Sequence, residues 1–153
     1  MNLKEWIFTT DHKRVGVLYL IGSVAAFVVA GIMALLMRAE LTAMGPTLTA
    51  NPTTYNVWLY AHGAIMILGF QIPALTGFAA NYAIPLMIGA KDVAFPRLNA
   101  FSVWLFYMGV ILALATFVIP DPPDVMWTGY PPFSLITTGN TALYTFTVLL
   151  IGF

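Results

Sequence analysis

The stretch WLYAHGAIMILGFQIPALTGFAANYAIPLMIGA, residues 58–90, decides how this chain is read. It is long and apolar enough to cross a bilayer, and four residues in it carries His62. An imidazole inside hydrocarbon is costly and usually has a partner that offsets the cost. A hydrogen-bonded neighbour is one such partner and haem iron is another; spacing alone leaves both open. The only other histidine, His12, lies in a short polar segment before the first apolar run.

Working outward, the whole chain has the same character. Hydrophobic residues make up 60% of the 153 and charged residues 8%, with a mean hydropathy of +0.87. A soluble domain carries about 25% charged residues, so the composition predicts an all-α, polytopic membrane bundle. The net charge of zero gives no sign of nucleic-acid binding. The absence of cysteine removes disulfides, iron–sulfur clusters, thiolate metal sites and covalent haem attachment. The opening MNLKEWIFTTDHKR is too polar and too mixed in charge for a cleaved signal peptide.

Four apolar runs follow one another: about Val15–Met37, Trp58–Met87, Phe101–Ile119 and a last one from Thr141 to Phe153. The second exceeds the roughly 20 residues a span needs and predicts a tilt or an extension past the hydrocarbon. Pro73 and Gly77 predict a kink in it. The fourth run, of about a dozen residues, is too short to cross as an ordinary helix, which predicts either a fragment or a layer completed by a partner chain. Residues 42–52, 89–96 and 120–132 read as loops. Lys4, Lys13 and Arg14 precede the first run, and Lys91 and Arg97 lie between the second and third. Against them the opposite side has only Arg38, which places the N-terminus on the cytoplasmic or equivalent side.

This orientation sorts the polar residues into two sets. His62, about 6 Å into its span at 1.5 Å per residue, falls near the outer side with Arg38, Trp127 and Tyr130. Such a set suits a haem held by imidazole at the iron and by cationic or N–H donors at its polar edge. It suits equally a packing histidine with a snorkelling arginine and aromatic-belt residues. On the inner side Asn81, Asp92 and Asn99 straddle a turn. They read as the start of a proton path or as a polar hairpin with Asp92 solvated near Lys91 and Arg97.

The order of motifs adds to this. TTDHKRVGVLYL (9–20), MRAEL (37–41), YNVWLYAHGAIM (55–66), NYAIPLMIGAKDVAFPRLNAFSVW (81–104) and WTGYPPFS (127–134) together resemble the N-terminal third of subunit I of the A-type haem–copper terminal oxidases. The resemblance covers nearly the whole chain and implies three full spans and the start of a fourth within a twelve-helix fold. It implies that His62 is an axial iron ligand of the low-spin haem, of type a or b, with Arg38 and Trp127 at the haem's periphery. It implies that Asp92 is the acid at the mouth of the D proton pathway. Asn81 and Asn99 would lie just inside, and Tyr19 and Ser102 would line it further on. Glu40 and Gly45 match positions that in some members help hold calcium or sodium; a carboxylate and a carbonyl suit such a hard cation.

The implied activity is reduction of oxygen to water with proton pumping, in a bacterial plasma membrane or mitochondrial inner membrane. The implied partners are the rest of subunit I, oxidase subunits II and III, and cytochrome c. The residues that would bind the second axial position, the high-spin haem and copper are absent, so those cofactors belong to the complete subunit and this segment alone is not catalytic. Gln71 and Ala100 are mild departures from the family pattern. VVAGIMALL (28–36) and PTTYNVW (52–58) lack the polar residues of the quinol-oxidising branch, which favours cytochrome c as donor. The C-type branch lacks the Asn81, Asp92 and Asn99 pattern. A non-enzymatic haem-binding or assembly module, a quinol-oxidising member, and a small polytopic transporter or structural membrane protein are the competing readings.

Overall fold

A computed structural model describes residues 3–117, 122, 128–136 and 141–152. Every regular element among them is helical: α1 (Leu3–Ile7), α2 (His12–Glu40), α3 (Pro52–Met87), α4 (Pro96–Ala115), α5 (Phe133–Ile136) and α6 (Thr141–Gly152). Three of these, α2, α3 and α4, are long and apolar enough to cross a membrane. The chain is thus a multi-pass, all-α membrane protein, as its composition predicts.

The helices begin before the apolar runs that announce them, because polar caps set their starts. Asp11 accepts from the Lys13 N–H at 2.8 Å and makes His12 the first residue of α2. Asn51 accepts from the Thr53 N–H at 3.0 Å, and Pro52 occupies the first helical position, where its missing N–H costs nothing. Pro96 likewise occupies the first turn of α4, here with no side-chain cap from Phe95 before it. At the far end of α3 the chain turns through Gly89, whose φ of +70° is open to glycine at little cost.

The interior of α3 is wider than an α-helix. It is π-helical over Ile65–Gln71 and Pro73–Ala80. Pro73 has no N–H to donate, and the Ile72 N–H before it reaches five residues back to the Ile67 carbonyl. Two side chains bond back within the same stretch, Thr76 Oγ1 to the Ile72 carbonyl at 2.8 Å and Asn81 Nδ2 to the Gly77 carbonyl at 2.7 Å. The irregularity expected at Pro73 therefore takes the form of extended widening.

Helix α2 is the centre of the bundle. It runs antiparallel to α3: Ala30 lies level with His62, Tyr19 with Gly77, and Gly16 with Asn81. It runs parallel to α4, with Tyr19 level with Ser102 and Gly22 with Phe106. Small residues permit the close approach, as is usual between membrane helices. A Cβ at Gly22 would stand 2.6 Å from the Phe106 ring, and one at Gly109 would stand 2.5 Å from Ile151 of α6. Val15, Tyr19, Val103 and Phe106 form the inner core, and Ala26, Ala30 and Ile65 the outer one. Large apolar side chains such as Leu35, Leu75 and Ile111 face outward. That is where a membrane protein meets lipid or further helices. Short α1 is fastened to α4 by the Trp104 Nε1–H, which donates to the Ile7 carbonyl at 3.2 Å.

Candidate functional site

His62 is placed by a contact that fixes its chemistry. Its Nδ1 lies 2.9 Å from the carbonyl oxygen of Ala30. A carbonyl only accepts, so Nδ1 carries the hydrogen, and in the neutral ring Nε2 keeps its lone pair. Nε2 has no hydrogen-bond partner among the described residues, and the ring is half-buried. A ring tethered through one nitrogen and open at the other is the usual arrangement of a metal-ligating histidine. The donor set fits a ligand to haem iron.

His62 lies farther from the start of its helix than from the start of the apolar run. Because α3 starts at Pro52, His62 lies ten residues from the helix start, about 15 Å at 1.5 Å per residue. The expected 6 Å counted from Trp58. Arg38 lies eight residues along α2 from Ala30, about 12 Å up the axis and within a quarter turn of it. It is exposed and forms no ion pair among the described residues. Trp127 lies outside the described residues; Tyr130 is exposed.

Glu40 closes the C-terminal end of α2 and organises the loop after it. Oε2 accepts from the Leu48 N–H at 2.6 Å, the Thr49 N–H at 3.1 Å and the Thr47 hydroxyl at 3.1 Å, and Oε1 accepts from the Thr47 N–H at 3.2 Å. Glu40 stands beyond the apolar run that ends at Met37. Gly45, at φ +88°, borders the same open pocket together with Thr49, Asn51 and Tyr55. As folded, the carboxylate serves its own loop. A hard cation would have to displace donors from Oε2 or take the remaining side of Oε1.

The inner set is partly brought together. The Tyr19 hydroxyl donates to Ser102 Oγ at 2.8 Å, and Ser102 Oγ donates to the Asn99 carbonyl at 2.8 Å. Tyr19, Thr76, Gly77, Asn81 and Ser102 border one groove between α2, α3 and α4. The Asn99 amide nitrogen is buried with no hydrogen-bond partner. Asp92 accepts from the Val93 N–H at 2.8 Å, and no direct hydrogen bond joins it to either asparagine among the described residues.

Asp92 has instead a partner that the sequence did not suggest. Nδ1 of His12 lies 3.2 Å from Asp92 Oδ1. His12 is 3% exposed, buried where α2 starts against the turn between α3 and α4. A cap signal was available, since Asp11 before an apolar-periodic run predicts a helix start. It would have put His12 on the helix, though not against Asp92, 80 residues away.

Comparison with known proteins decides the family. Residues 14–153 match the family model described as Cytochrome C and Quinol oxidase polypeptide I. The chain belongs to this family. It is 47% identical over 131 residues to the probable cytochrome c oxidase subunit 1-alpha of Streptomyces coelicolor, covering 85% of this chain and 22% of that protein. The protein of the same name from Streptomyces avermitilis matches at the same identity and coverage. A probable cytochrome c oxidase subunit 1-beta from Nocardia farcinica is 46% identical over 134 residues, 87% of this chain and 22% of that protein. The chain corresponds to an N-terminal portion of subunit I and spans about a fifth of the length of these relatives.

Proposed function

We propose that this polypeptide forms part of the catalytic subunit of a respiratory terminal oxidase that reduces oxygen to water with electrons from cytochrome c and pumps protons. His62 supplies one axial ligand of the low-spin haem through Nε2, and Arg38 and Trp127 serve the haem's polar edge. Asp92 opens a proton path on the inner side that continues past Asn99 and Asn81 to the Tyr19–Ser102 pair. The N-terminus lies on the cytoplasmic or matrix side, and the rest of subunit I with subunits II and III completes the machine.

The observation that supports the reading is the His62 Nδ1 contact to the Ala30 carbonyl, which leaves Nε2 free to act as a ligand. When bound, the haem supplies one-electron transfer at its iron. The chain's own residues orient the imidazole, keep its tautomer fixed and set the ring at a constant depth. The relatives' names support cytochrome c as the donor, in agreement with the missing polar residues in 28–36 and 52–58.

In the assembled oxidase, His62→Ala should abolish the low-spin haem band in reduced-minus-oxidised spectra while the protein still inserts in the membrane. Retention of that band at full intensity would overturn the assignment.

A further inference from the structure

We propose that His12 is a positioning residue for the proton-entry acid: its buried imidazole holds the Asp92 carboxylate in place, an inference that rests on the reading of Asp92 as that acid. Four observations converge. Nδ1 of His12 lies 3.2 Å from Asp92 Oδ1. The histidine side chain is 4% exposed, whereas that of Asp92 keeps 34% of its surface open. The buried side-chain polar atoms left without a hydrogen-bond partner among the described residues are both His12 ring nitrogens and Asn99 Nδ2. His12 opens α2, and Asn99 lies in the first turn of α4, which follows the Asp92 turn. Finally, the oxygen that His12 Nδ1 approaches, Asp92 Oδ1, accepts from the Val93 N–H at 2.8 Å.

The two atoms stand 3.2 Å apart without hydrogen-bond geometry, so rotation of the imidazole is what would complete the bond. Burying an imidazole with neither nitrogen paired is costly, and the Asp92 carboxylate is the nearer of the two acceptors beside it. Asp11 Oδ1 is the other, at 3.9 Å, and it already accepts from the Lys13 N–H. Lys13 and Arg14 follow on the same helix. Lys91 precedes Asp92 in the turn, and Arg97 follows Pro96 in the first turn of α4. With Oδ1 held by His12 and Val93, Oδ2 is left as the oxygen that exchanges protons with solvent. His12 thereby acts through Asp92, keeping its free oxygen at the mouth of the path.

The test uses the complete oxidase carrying single substitutions, with proton uptake followed by a pH-indicating dye after mixing the reduced enzyme with oxygen. His12→Ala and His12→Gln should slow uptake on the order of tenfold, the scale of one hydrogen bond to a charged group. His12→Asn should keep most of the rate, because its amide nitrogen falls near the Nδ1 position while that of glutamine falls near Nε2. Haem absorption and the KM for cytochrome c should be unchanged in all three. Should the alanine variant fail to assemble, the asparagine–glutamine contrast decides alone. Asparagine as slow as glutamine, or glutamine as fast as wild type, overturns the positioning role. Asp92→Asn is run in parallel: full-rate uptake there would remove the reading of Asp92 itself. Slow uptake in Asp92→Asn with normal uptake in His12→Gln would remove only the role of His12.

Discussion

Gly77→Ala tests whether the inner half of the bundle is held by the close approach of α2 and α3. A Cβ at position 77 would stand 2.5 Å from both Cγ and Cδ1 of Tyr19 and 3.0 Å from its Cε1. Those atoms are the root of the ring, so a rotamer change of a flexible tip cannot relieve the clash. The ring is also confined: Tyr19 is 8% exposed, its hydroxyl is tied to Ser102, and its centroid lies 5.3 Å from that of Phe106. Overpacking of this kind costs about 1–3 kcal/mol, and losing the Tyr19–Ser102 bond adds about 1 kcal/mol. Alanine's better helix propensity returns roughly 0.5–1 kcal/mol, leaving a net loss of about 1–3 kcal/mol. Gly31→Ala is the internal control, because the same methyl there meets nothing within 4 Å. Thermal inactivation of the assembled oxidase, followed by haem absorption, should fall for Gly77→Ala and hold or rise for Gly31→Ala. Equal midpoints for the two variants would refute the packing argument. The same clash should disturb the groove that Tyr19 borders, so proton uptake should slow in Gly77→Ala alone.

The outer loop and the N-terminal cap give two further tests. Glu40→Ala removes the acceptor of four hydrogen bonds from residues 47–49, so limited proteolysis within 41–51 should accelerate several-fold; an unchanged cleavage rate would mean the loop is held by something else. Asp11→Ala removes the cap of α2 at a cost of about 1 kcal/mol, read as a lower thermal midpoint, and Asp11→Asn should recover it because asparagine caps as well. An alanine variant as stable as the asparagine one would show that the cap contributes nothing.

The membrane class and the three spans were legible because they rest on composition, which no tertiary contact can reverse. His62 was legible for a related reason: a lone imidazole in an apolar run needs a partner wherever the run packs. The start of its helix was not, because Asn51 and Pro52 extend α3 through a polar stretch that carries no hydropathy signal. The same holds at Asp11 and Pro96. His12 shows the limit most clearly. Its neighbours in sequence are polar and predict an exposed turn. Its burial arises from the turn between α3 and α4, which returns Asp92 to the start of α2. The saturation of the Glu40 carboxylate was equally out of reach, since it depends on how residues 47–49 fold back upon it.

The widening of α3 bears on how the two candidate sites are spaced. From His62 to Asn81, α3 uses 19 residues, while the level-matched positions on α2, Ala30 and Gly16, are 14 residues apart. As regular α-helix those lengths would be about 28 Å and about 21 Å. The π-helical stretches absorb part of the difference, because hydrogen bonds reaching five residues back put more residues into each turn. A count of residues between His62 and Asp92 at 1.5 Å each therefore overstates their separation. The better ruler is α2, where Ala30, the anchor of His62, and His12, the neighbour of Asp92, are 18 residues or about 27 Å apart. That is close to the roughly 30 Å of a bilayer's hydrocarbon core. One straight helix thus touches the iron-ligand candidate near one face and the proton-entry candidate near the other. The irregular helix beside it takes up the mismatch.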